Sequence, residues 1–301
     1  AFSRRVKRIL EQLGECEKWP RFEKAGIRKN LFHKPENTKV AIVTCGGLCP
    51  GLNNVIKGLV SALEIEYGIK DIIGIRYGYL GLSKKSRHEP IKMTFKSIDQ
   101  IHKQGGTVLG SSRGNQDPVD MVNQLVSRKI NLLYCIGGDG TLKGAKAIAE
   151  EIKNRNLSIS VVGIPKTIDN DLSFIEKTFG FETSVQIASD IITSAYTEAV
   201  GAENGIGIVK LMGRDSGFIS ASATLANSVV DFCLVPETKF YLHGHGGLLT
   251  ALERRLKERQ YSVIVVAEGA GQDLFMNTAE RRDQSGNVLK EDIGTFLKRE
   301  I

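Results

Sequence analysis

No stretch of the chain approaches the roughly 18 uninterrupted apolar residues that cross a bilayer. Nor does the charged opening, Ala1-Phe-Ser-Arg-Arg-Val-Lys-Arg8, run into an apolar signal-peptide core. A soluble, non-secreted protein with no membrane partner is therefore expected, and the sequon Asn156-Leu-Ser158 has no meaning without secretion. Cysteine is scarce: Cys16, Cys45, Cys49, Cys135 and Cys233 are odd in number and form no CxxC. That usage fits reduced thiols, partly on buried strands, better than a disulfide framework. Low-complexity tracts and short-period repeats are absent as well. An excess of positive charge is nearly absent from the body of the chain. The net charge of +7 divides into 11 Lys+Arg against 5 Asp+Glu in residues 1–40, and 30 against 29 in the remainder. The basicity thus belongs to a leader over residues 1–38, solvated or partner-facing. A stripe across a folded face, as nucleic acid requires, is not legible, so no nucleic-acid partner is expected.

Several motifs are missing too. There is no GxxxxGK[ST], which excludes a standard P-loop, and no GxGxxG after the first strand, which weakens a dinucleotide-oxidoreductase reading. Gly110-Ser-Ser-Arg-Gly114 has the letters of a hydrolase elbow, but Asn-Gln-Asp-Pro follows it instead of an immediate helix. His243 and His245 flank a glycine, as in a turn.

What the chain does contain is 41% hydrophobic and 25% charged residues over 301 positions, enough for two lobes or one large α/β unit. From residue 39 a pattern of strand, glycine loop and helix repeats. Apolar runs at 39–45, 72–75, 131–136 and 159–164 each lead into a loop, and helical spacing is legible over 52–66 and 142–153. A long amphipathic pattern over 182–200 is followed by runs at 206–211, 232–235 and 262–267, with helices reaching 227 and spanning 248–259. Continuous apolar strands alternating with helices predict mostly parallel sheets covered on both faces. The fold class is thus α/β: two Rossmann-like lobes, over 39–180 and 181–301, with an active-site cleft between them.

Ligands of such sheets sit where strand ends meet helix N-termini. Three first-lobe loops there are glycine-rich: Gly46-Gly-Leu-Cys-Pro-Gly51, Gly137-Gly-Asp-Gly140 and Gly105-Gly-Thr-Val-Leu-Gly-Ser-Ser-Arg-Gly114. Missing side chains let backbone N–H groups approach phosphate, and Arg113 adds bidentate charge. In Pro165-Lys-Thr-Ile-Asp-Asn-Asp171 two carboxylates lie two residues apart. If that stretch is extended, Asp169 and Asp171 point the same way; the same letters also describe an Asx-rich turn. With Asp139 they suit Mg²⁺ on phosphates and a base for a hydroxyl, so phosphoryl transfer leads. In the second lobe Arg214 either grips a phosphate or pairs with Asp215, and Glu268 suits sugar hydroxyls.

Taken in order, these loops closely resemble the phosphofructokinase family, nearest its plant and trypanosomatid ATP-dependent branch. The resemblance rests on Gly46-Gly-Leu-Cys-Pro-Gly-Leu-Asn53, Gly78-Tyr-Leu-Gly-Leu82, Gly106–Arg113, Gly137-Gly-Asp-Gly-Thr141, Pro165–Asp171, Met212-Gly-Arg214 and Glu268-Gly269. It implies phosphorylation of the 1-hydroxyl of fructose 6-phosphate in glycolysis, with ATP as donor and Mg²⁺ as cofactor. It implies Asp169 as base, with Lys166, Thr167 and Arg113 at the reacting centre. Gly47, Tyr79, Arg113, Gly138, Asp139, Gly140 and Thr141 would line the nucleotide, and Asp139 and Asp171 would place the metal. Thr167, Asp169, Asp171, Met212, Gly213, Arg214 and Glu268 would bind the sugar phosphate. A homotetramer or homodimer, an allosteric enzyme of the cytoplasm or of a glycosome-like organelle, is implied by the same resemblance.

Two positions pull apart over the donor. Gly140 resembles the ATP-dependent enzymes, since the aspartate of the pyrophosphate type would fill and repel the α-phosphate region. Lys166 resembles the pyrophosphate type. A clash vetoes a ligand whereas a lysine only attracts one, so ATP is expected. One departure is Gly205, where bacterial ATP enzymes carry an arginine that reaches a neighbouring subunit's substrate; bacterial-style cooperativity is therefore not expected. The alternatives are a pyrophosphate-dependent enzyme, an NAD- or lipid-kinase-like enzyme sharing Gly-Gly-Asp-Gly-Thr, and a non-catalytic sugar-phosphate-binding regulatory subunit. Members of the nearest branch continue well past the Glu-Gly loop, so the C-terminal part of the enzyme is expected to be missing beyond Ile301.

Overall fold

The computed structural model describes residues 30–114, 116–172, 175–275, 282 and 288–301. Most of the basic leader expected over 1–38, including Cys16, lies outside the described residues.

The first lobe is a five-stranded sheet of β1 (Lys39–Thr44), β2 (Asp71–Ile75), β3 (Ile91–Lys92), β4 (Leu132–Gly137) and β5 (Ser160–Pro165). The strand order is β3-β2-β1-β4-β5, and only the two-residue edge strand β3 runs antiparallel. Alternation on β1 shows why both faces are covered. Val40 and Ile42 meet Leu52, Ile56 and Val60 of α1 (Leu52–Ser61) on one side. Ala41 and Val43 meet Met121 and Leu125 of α2 (Pro118–Ser127) and Ile148 of α3 (Asp139–Asn154) on the other. Helix α2 was not legible as a helix in the apolar pattern. Its start is nonetheless written in the sequence: Asp117 accepts the Val119 N–H at 3.0 Å and Pro118 occupies the first turn. The Asn-Gln-Asp-Pro that argues against a hydrolase elbow is thus itself a helix-capping signal.

After α4 (Phe181–Val200) the second lobe builds β6 (Gly205–Leu211), β7 (Phe232–Leu234) and β8 (Tyr261–Ala267) into a parallel sheet ordered β6-β8-β7. Val263 and Val265 of β8 pack toward Ile192 of α4 and Ile219 of α5 (Phe218–Ala226). Ile264 and Val266 pack toward Leu252 of α6 (Leu248–Arg259) and Ile293 of α7 (Ile293–Glu300). The periodic segments therefore fold within a few residues of their expected limits. The one internal deviation is at 62–66, where the helix read over 52–66 closes as a π turn, Ala62–Glu66. The lobes share more than the chain passing between them: Ile168, in the loop after β5, packs into the second lobe's core beside Phe181.

Gly205 has a structural reason to be glycine. A Cβ there would lie 2.1 Å from the Ala199 carbonyl oxygen, where the end of α4 turns into β6. An arginine at this place would require that turn to open.

The second lobe also carries a partly buried ion pair. Asp231, just before β7, pairs with Arg255 of α6, and accepts the Ser262 hydroxyl at 3.1 Å and the Val263 N–H at 3.0 Å. Removing one member of such a pair leaves the other charge uncompensated. Asp231→Ala, which also removes the acceptor of the Ser262 hydroxyl and the Val263 N–H, is expected to lower the unfolding free energy by about 2 kcal/mol, read from urea unfolding curves, whereas Glu253→Ala in the exposed Glu253–Lys257 pair changes it by less than about 1 kcal/mol.

Candidate active site

In the first sheet the chain steps outward from β1 to β2, then returns to the other side of β1 for β4 and β5. The loops after β1 and β4 consequently splay apart at this reversal, which is where open α/β sheets bind ligands. The loop after β1 is fixed from its neighbour: the Gly46 N–H donates to the Ser112 carbonyl at 3.1 Å, and the Ser111 hydroxyl donates to the Gly46 carbonyl at 2.6 Å. Asn53, buried at the start of α1, binds both sides of the 105–107 glycine turn. Its amide donates to the Gln104 carbonyl and its oxygen accepts the Val108 N–H, each at 2.9 Å. Gly106, Gly110 and Gly114 hold φ of 73°, 67° and 101° in the same segment, conformations that L side chains rarely adopt.

The loop after β4 turns directly into α3. Its N-cap is Gly138 with no side-chain cap, so the N–H groups of the first turn are free of side-chain acceptors and carry the positive end of the helix dipole. Gly137 permits the turn: a Cβ there would sit 2.2 Å from the Thr141 hydroxyl. A Cβ on Gly140 would meet nothing within 4 Å, so a larger side chain would project into open space at the mouth. A pocket of about 220 Å³ lies here, lined by Gly137, Gly138, Asp139, Leu142, Pro165, Lys166, Thr167, Asp171 and Leu172.

The expected residues divide by where their side chains go. Asp139 and Asp171 are exposed on that pocket, and Lys166 lies beneath it, 9% exposed. Burial holds the Lys166 ammonium below the usual lysine range and neighbouring Arg113 adds to this, partly offset by Cys49, Cys45 and Asp169. Arg113 is exposed beside Gly47, with Nη2 3.6 Å from where a Gly47 Cβ would stand. Tyr79 and Thr141 turn inward. The Tyr79 hydroxyl donates to the Thr141 carbonyl at 2.7 Å, so this ring supports the first turn of α3 from below and does not line the pocket. Cys45, Cys49 and Cys135 are buried, with thiols pushed up from their ordinary value chiefly by burial.

The loop after β5 corrects the expectation that Asp169 and Asp171 point the same way. Asn170 adopts φ 56°, which breaks the extended run between them. The Asn170 side chain holds the turn, accepting the Thr178 N–H at 2.8 Å and donating to the Glu176 carbonyl at 3.2 Å. Thr167 accepts the Asp169 N–H at 3.1 Å and donates to Asp171 at 2.9 Å, so its hydroxyl orders the loop. Asp171 remains at the pocket, while the Asp169 carboxyl is carried to the junction with the second lobe.

There Asp169 becomes the most perturbed acid of the site. Its Oδ1 is buried without a hydrogen-bond partner. Burial, followed by Asp171 and Glu268, pushes its pKa up to about 6; the Arg214 N–H opposes the rise, and Asp215 adds slightly to it. The loop after β6 also donates the Ser216 hydroxyl to the Asp169 carbonyl at 3.3 Å. This loop and the one after β8 lock together: the Gly269 N–H donates to the Gly213 carbonyl at 3.0 Å, and a Cβ on Gly269 would lie 1.8 Å from the Arg214 carbonyl oxygen. Met212 is half exposed, and the Arg214 guanidinium donates to the Val288 carbonyl. Asp215 pairs with Lys290 at 2.9 Å, so the alternative in which Arg214 pairs with Asp215 is not the one found.

Among the described residues no group of three or more His, Cys, Asp or Glu side chains is gathered for a metal ion. Mg²⁺ needs less than that, since it keeps waters and takes one or two carboxylates beside substrate phosphates. Asp139 and Asp171, exposed on one pocket, fit that donor set. No helix among the described residues is long and apolar enough to cross a membrane.

Comparison with known proteins places this arrangement. The chain is 50% identical over 285 residues to an ATP-dependent 6-phosphofructokinase of Borreliella burgdorferi, covering 93% of this chain and 64% of that protein. It is 51% identical over 282 residues to ATP-dependent 6-phosphofructokinase 7 of Arabidopsis thaliana, covering 93% and 58%. To the ATP-dependent 6-phosphofructokinase of Trypanosoma cruzi it is 47% identical over 279 residues, covering 93% and 57%. The chain thus spans less than two thirds of the length of these relatives. A pyrophosphate-dependent phosphofructokinase from Marinobacter aquaeolei has the same fold, with a TM-score of 0.67 at 22% identity over 77% of this chain and 61% of that one. Residues 39–301 match the family described as Phosphofructokinase, and the chain belongs to the phosphofructokinase family.

Proposed function

We propose that the protein is an ATP-dependent 6-phosphofructokinase, which moves the γ-phosphoryl group of ATP to the 1-hydroxyl of fructose 6-phosphate. The observation that carries this reading is the Asp169 carboxyl. It is half-buried, one oxygen is buried without a partner, its pKa is pushed up to about 6, and it lies in the same loop as Lys166, Thr167 and Asp171, which line the glycine-walled pocket. A base of that strength is mostly ionised at neutral pH, yet still accepts a proton from a hydroxyl whose oxygen is gaining a phosphoryl group.

In this reading the first lobe holds the donor and the second the sugar phosphate. The α3 N-terminus, Gly47, Gly138 and Gly140 receive the phosphates through backbone N–H groups, while Arg113 and Lys166 add positive charge. Asp139 and Asp171 would hold Mg²⁺, which supplies neutralisation of phosphate charge. Thr167 and Asn170 keep Asp169 at the junction of the lobes. Arg214, Met212, Gly213 and Glu268 receive fructose 6-phosphate, bringing its hydroxyl to Asp169. The names of the relatives and the open space at Gly140 support ATP. The buried Lys166 beside the cradle favours a second reading, with pyrophosphate as donor. Assembly as a homotetramer or homodimer, and a cytoplasmic or glycosome-like location, rest on resemblance alone.

Formation of fructose 1,6-bisphosphate, assayed with ATP and with pyrophosphate in the presence of Mg²⁺, is expected with ATP. Faster turnover with pyrophosphate would overturn the donor, and none with either would favour a regulatory subunit. Asp169→Ala should lower kcat by at least about 10³-fold while sparing nucleotide binding. For Gly140→Asp, kcat/KM for ATP should fall by about 10-fold or more, through charge repulsion at the cradle.

Stability gives an activity-independent check. Because the Asp169 pKa is raised on folding, its contribution is fully favourable below its ordinary value, near 3.8, and is lost as pH rises through about 6. Asp169→Asn should therefore stabilise the fold by about 2 kcal/mol at pH 8 relative to its effect at pH 4, measured by urea unfolding at the two pH values.

A further inference from the structure

Thr44, the last residue of β1, precedes the motifs that mark the site and is 1% exposed. A buried hydroxyl needs partners, and this one finds two in the glycine-rich segment that leads to Arg113, sixty-six and sixty-three positions away. Its Oγ1 donates to the Gly110 carbonyl at 2.8 Å and lies 3.0 Å from the Thr107 Oγ1. The Thr107 Oγ1 in turn accepts the Leu109 N–H at 3.2 Å. Each hydroxyl has one hydrogen to give. With the Thr44 hydrogen on Gly110, the hydrogen between the two hydroxyls comes from Thr107. The direction is therefore fixed: Leu109 N–H to Thr107, Thr107 to Thr44, and Thr44 to the Gly110 carbonyl.

This chain of bonds lies at the foot of two arms. Three residues beyond Thr44 on one arm is Gly47, and three residues beyond Gly110 on the other is Arg113. Between foot and tips the Gly46 N–H bonds the Ser112 carbonyl, and the Ser111 hydroxyl bonds the Gly46 carbonyl. At the tips, the Arg113 Nη2 stands 3.6 Å from the place of a Gly47 Cβ. Gly110, at φ 67°, has no side chain to restrain it, and the buried Thr44 hydroxyl supplies a restraint at its carbonyl.

We propose that Thr44 is a positioning residue for the donor site: its hydroxyl ties Gly110 to the end of β1 and so sets the Arg113 guanidinium against the Gly47 loop. This deepens the reading of the first lobe as the phosphoryl-donor site and depends on it for its catalytic meaning. A methyl in place of the hydroxyl leaves the Gly110 carbonyl and the Thr107 hydroxyl without this partner at a position closed to water. The segment then shifts to satisfy them, and Arg113 moves with it.

The test is calorimetric titration of the full chain with adenylyl imidodiphosphate, a non-hydrolysable ATP analogue, and Mg²⁺. Thr44→Val should weaken binding by about 5-fold or more, whereas Thr44→Ser keeps the hydroxyl and should bind within about 2-fold of the unmodified protein. In turnover the KM for ATP should rise with the loss of binding, while the KM for fructose 6-phosphate stays within about 2-fold. A general loosening of the fold would raise both. In an Arg113→Ala background, Thr44→Val should have little further effect on binding, because it acts through that side chain. Unchanged binding in the Val variant would overturn the proposal. So would a Ser variant as weak as Val, an equal rise in both KM values, or a Val effect of full size without Arg113. Should Thr44→Val not fold, Thr44→Cys, with only a weak S–H donor, is read in the same way. If the unmodified protein does not bind the analogue, ATP as donor is lost and the same titrations are made with pyrophosphate. If it binds neither, the donor reading fails and amide exchange over 107–113 decides. Faster exchange in the Val than in the Ser variant would then uphold the tie without its catalytic meaning, and equal exchange would overturn it.

Discussion

A half-buried carboxyl group with one oxygen unpaired is costly to hold, and the junction of the two lobes is organised around holding one. Asp169 is kept in place by contacts from both sides: the Thr167 hydroxyl and the left-handed Asn170 turn from the first lobe, and the Ser216 hydroxyl from the second. Ile168, the residue before it, is packed into the second lobe's core. The loop after β5 therefore cannot move without disturbing both lobes. The result is an acid whose pKa is pushed up to about 6, above the range of an exposed aspartate.

Close backbone approach is the second constraint, and glycine meets it by absence. Gly137 clears the Thr141 side chain, Gly217 clears Val235 and Glu237, and Gly269 clears the Arg214 carbonyl. Gly137 lets its own loop turn directly into α3, which leaves the N–H groups of that helix start facing a pocket without a side-chain cap to occupy them. Gly217 and Gly269 lie where one strand-end loop crosses another, and Gly269 lets the loops after β6 and β8 lie against each other. The family's reaction needs alignment and charge neutralisation more than covalent participation, and rigid, narrow loop crossings suit that need.

Much of this was legible beforehand because its causes are local. Apolar runs of strand length and 3.6-residue spacing depend only on neighbouring residues, so the alternation of strands and helices could be read directly. The glycine loops and the segment 165–171 could be read for the same reason. What escaped reading depends on partners distant in sequence. The inward turn of Tyr79 follows from the Thr141 carbonyl, sixty-two positions away. The role of Asn53 requires the 105–107 turn, and that of Thr44 requires a carbonyl sixty-six positions later. Helix α2 is a different case: Asp117-Pro118 was a local signal, overshadowed by the glycine loop before it.

By itself, then, the sequence determined the α/β class, the two runs of alternating elements, the glycine-rich strand ends and the family to which they belong. It also determined that the basic charge lies near the start of the chain. Tertiary structure alone decided that Asp169 and Asp171 face different surroundings, since a single left-handed residue redirects the chain between them. It likewise decided that Asp215 pairs with Lys290, that Gly205 lies against the end of α4, and that burial pushes the Asp169 pKa up to about 6. The physical reason is common to all of these. Burial and pairing are properties of the space around a side chain, and that space is bounded by residues remote in the sequence.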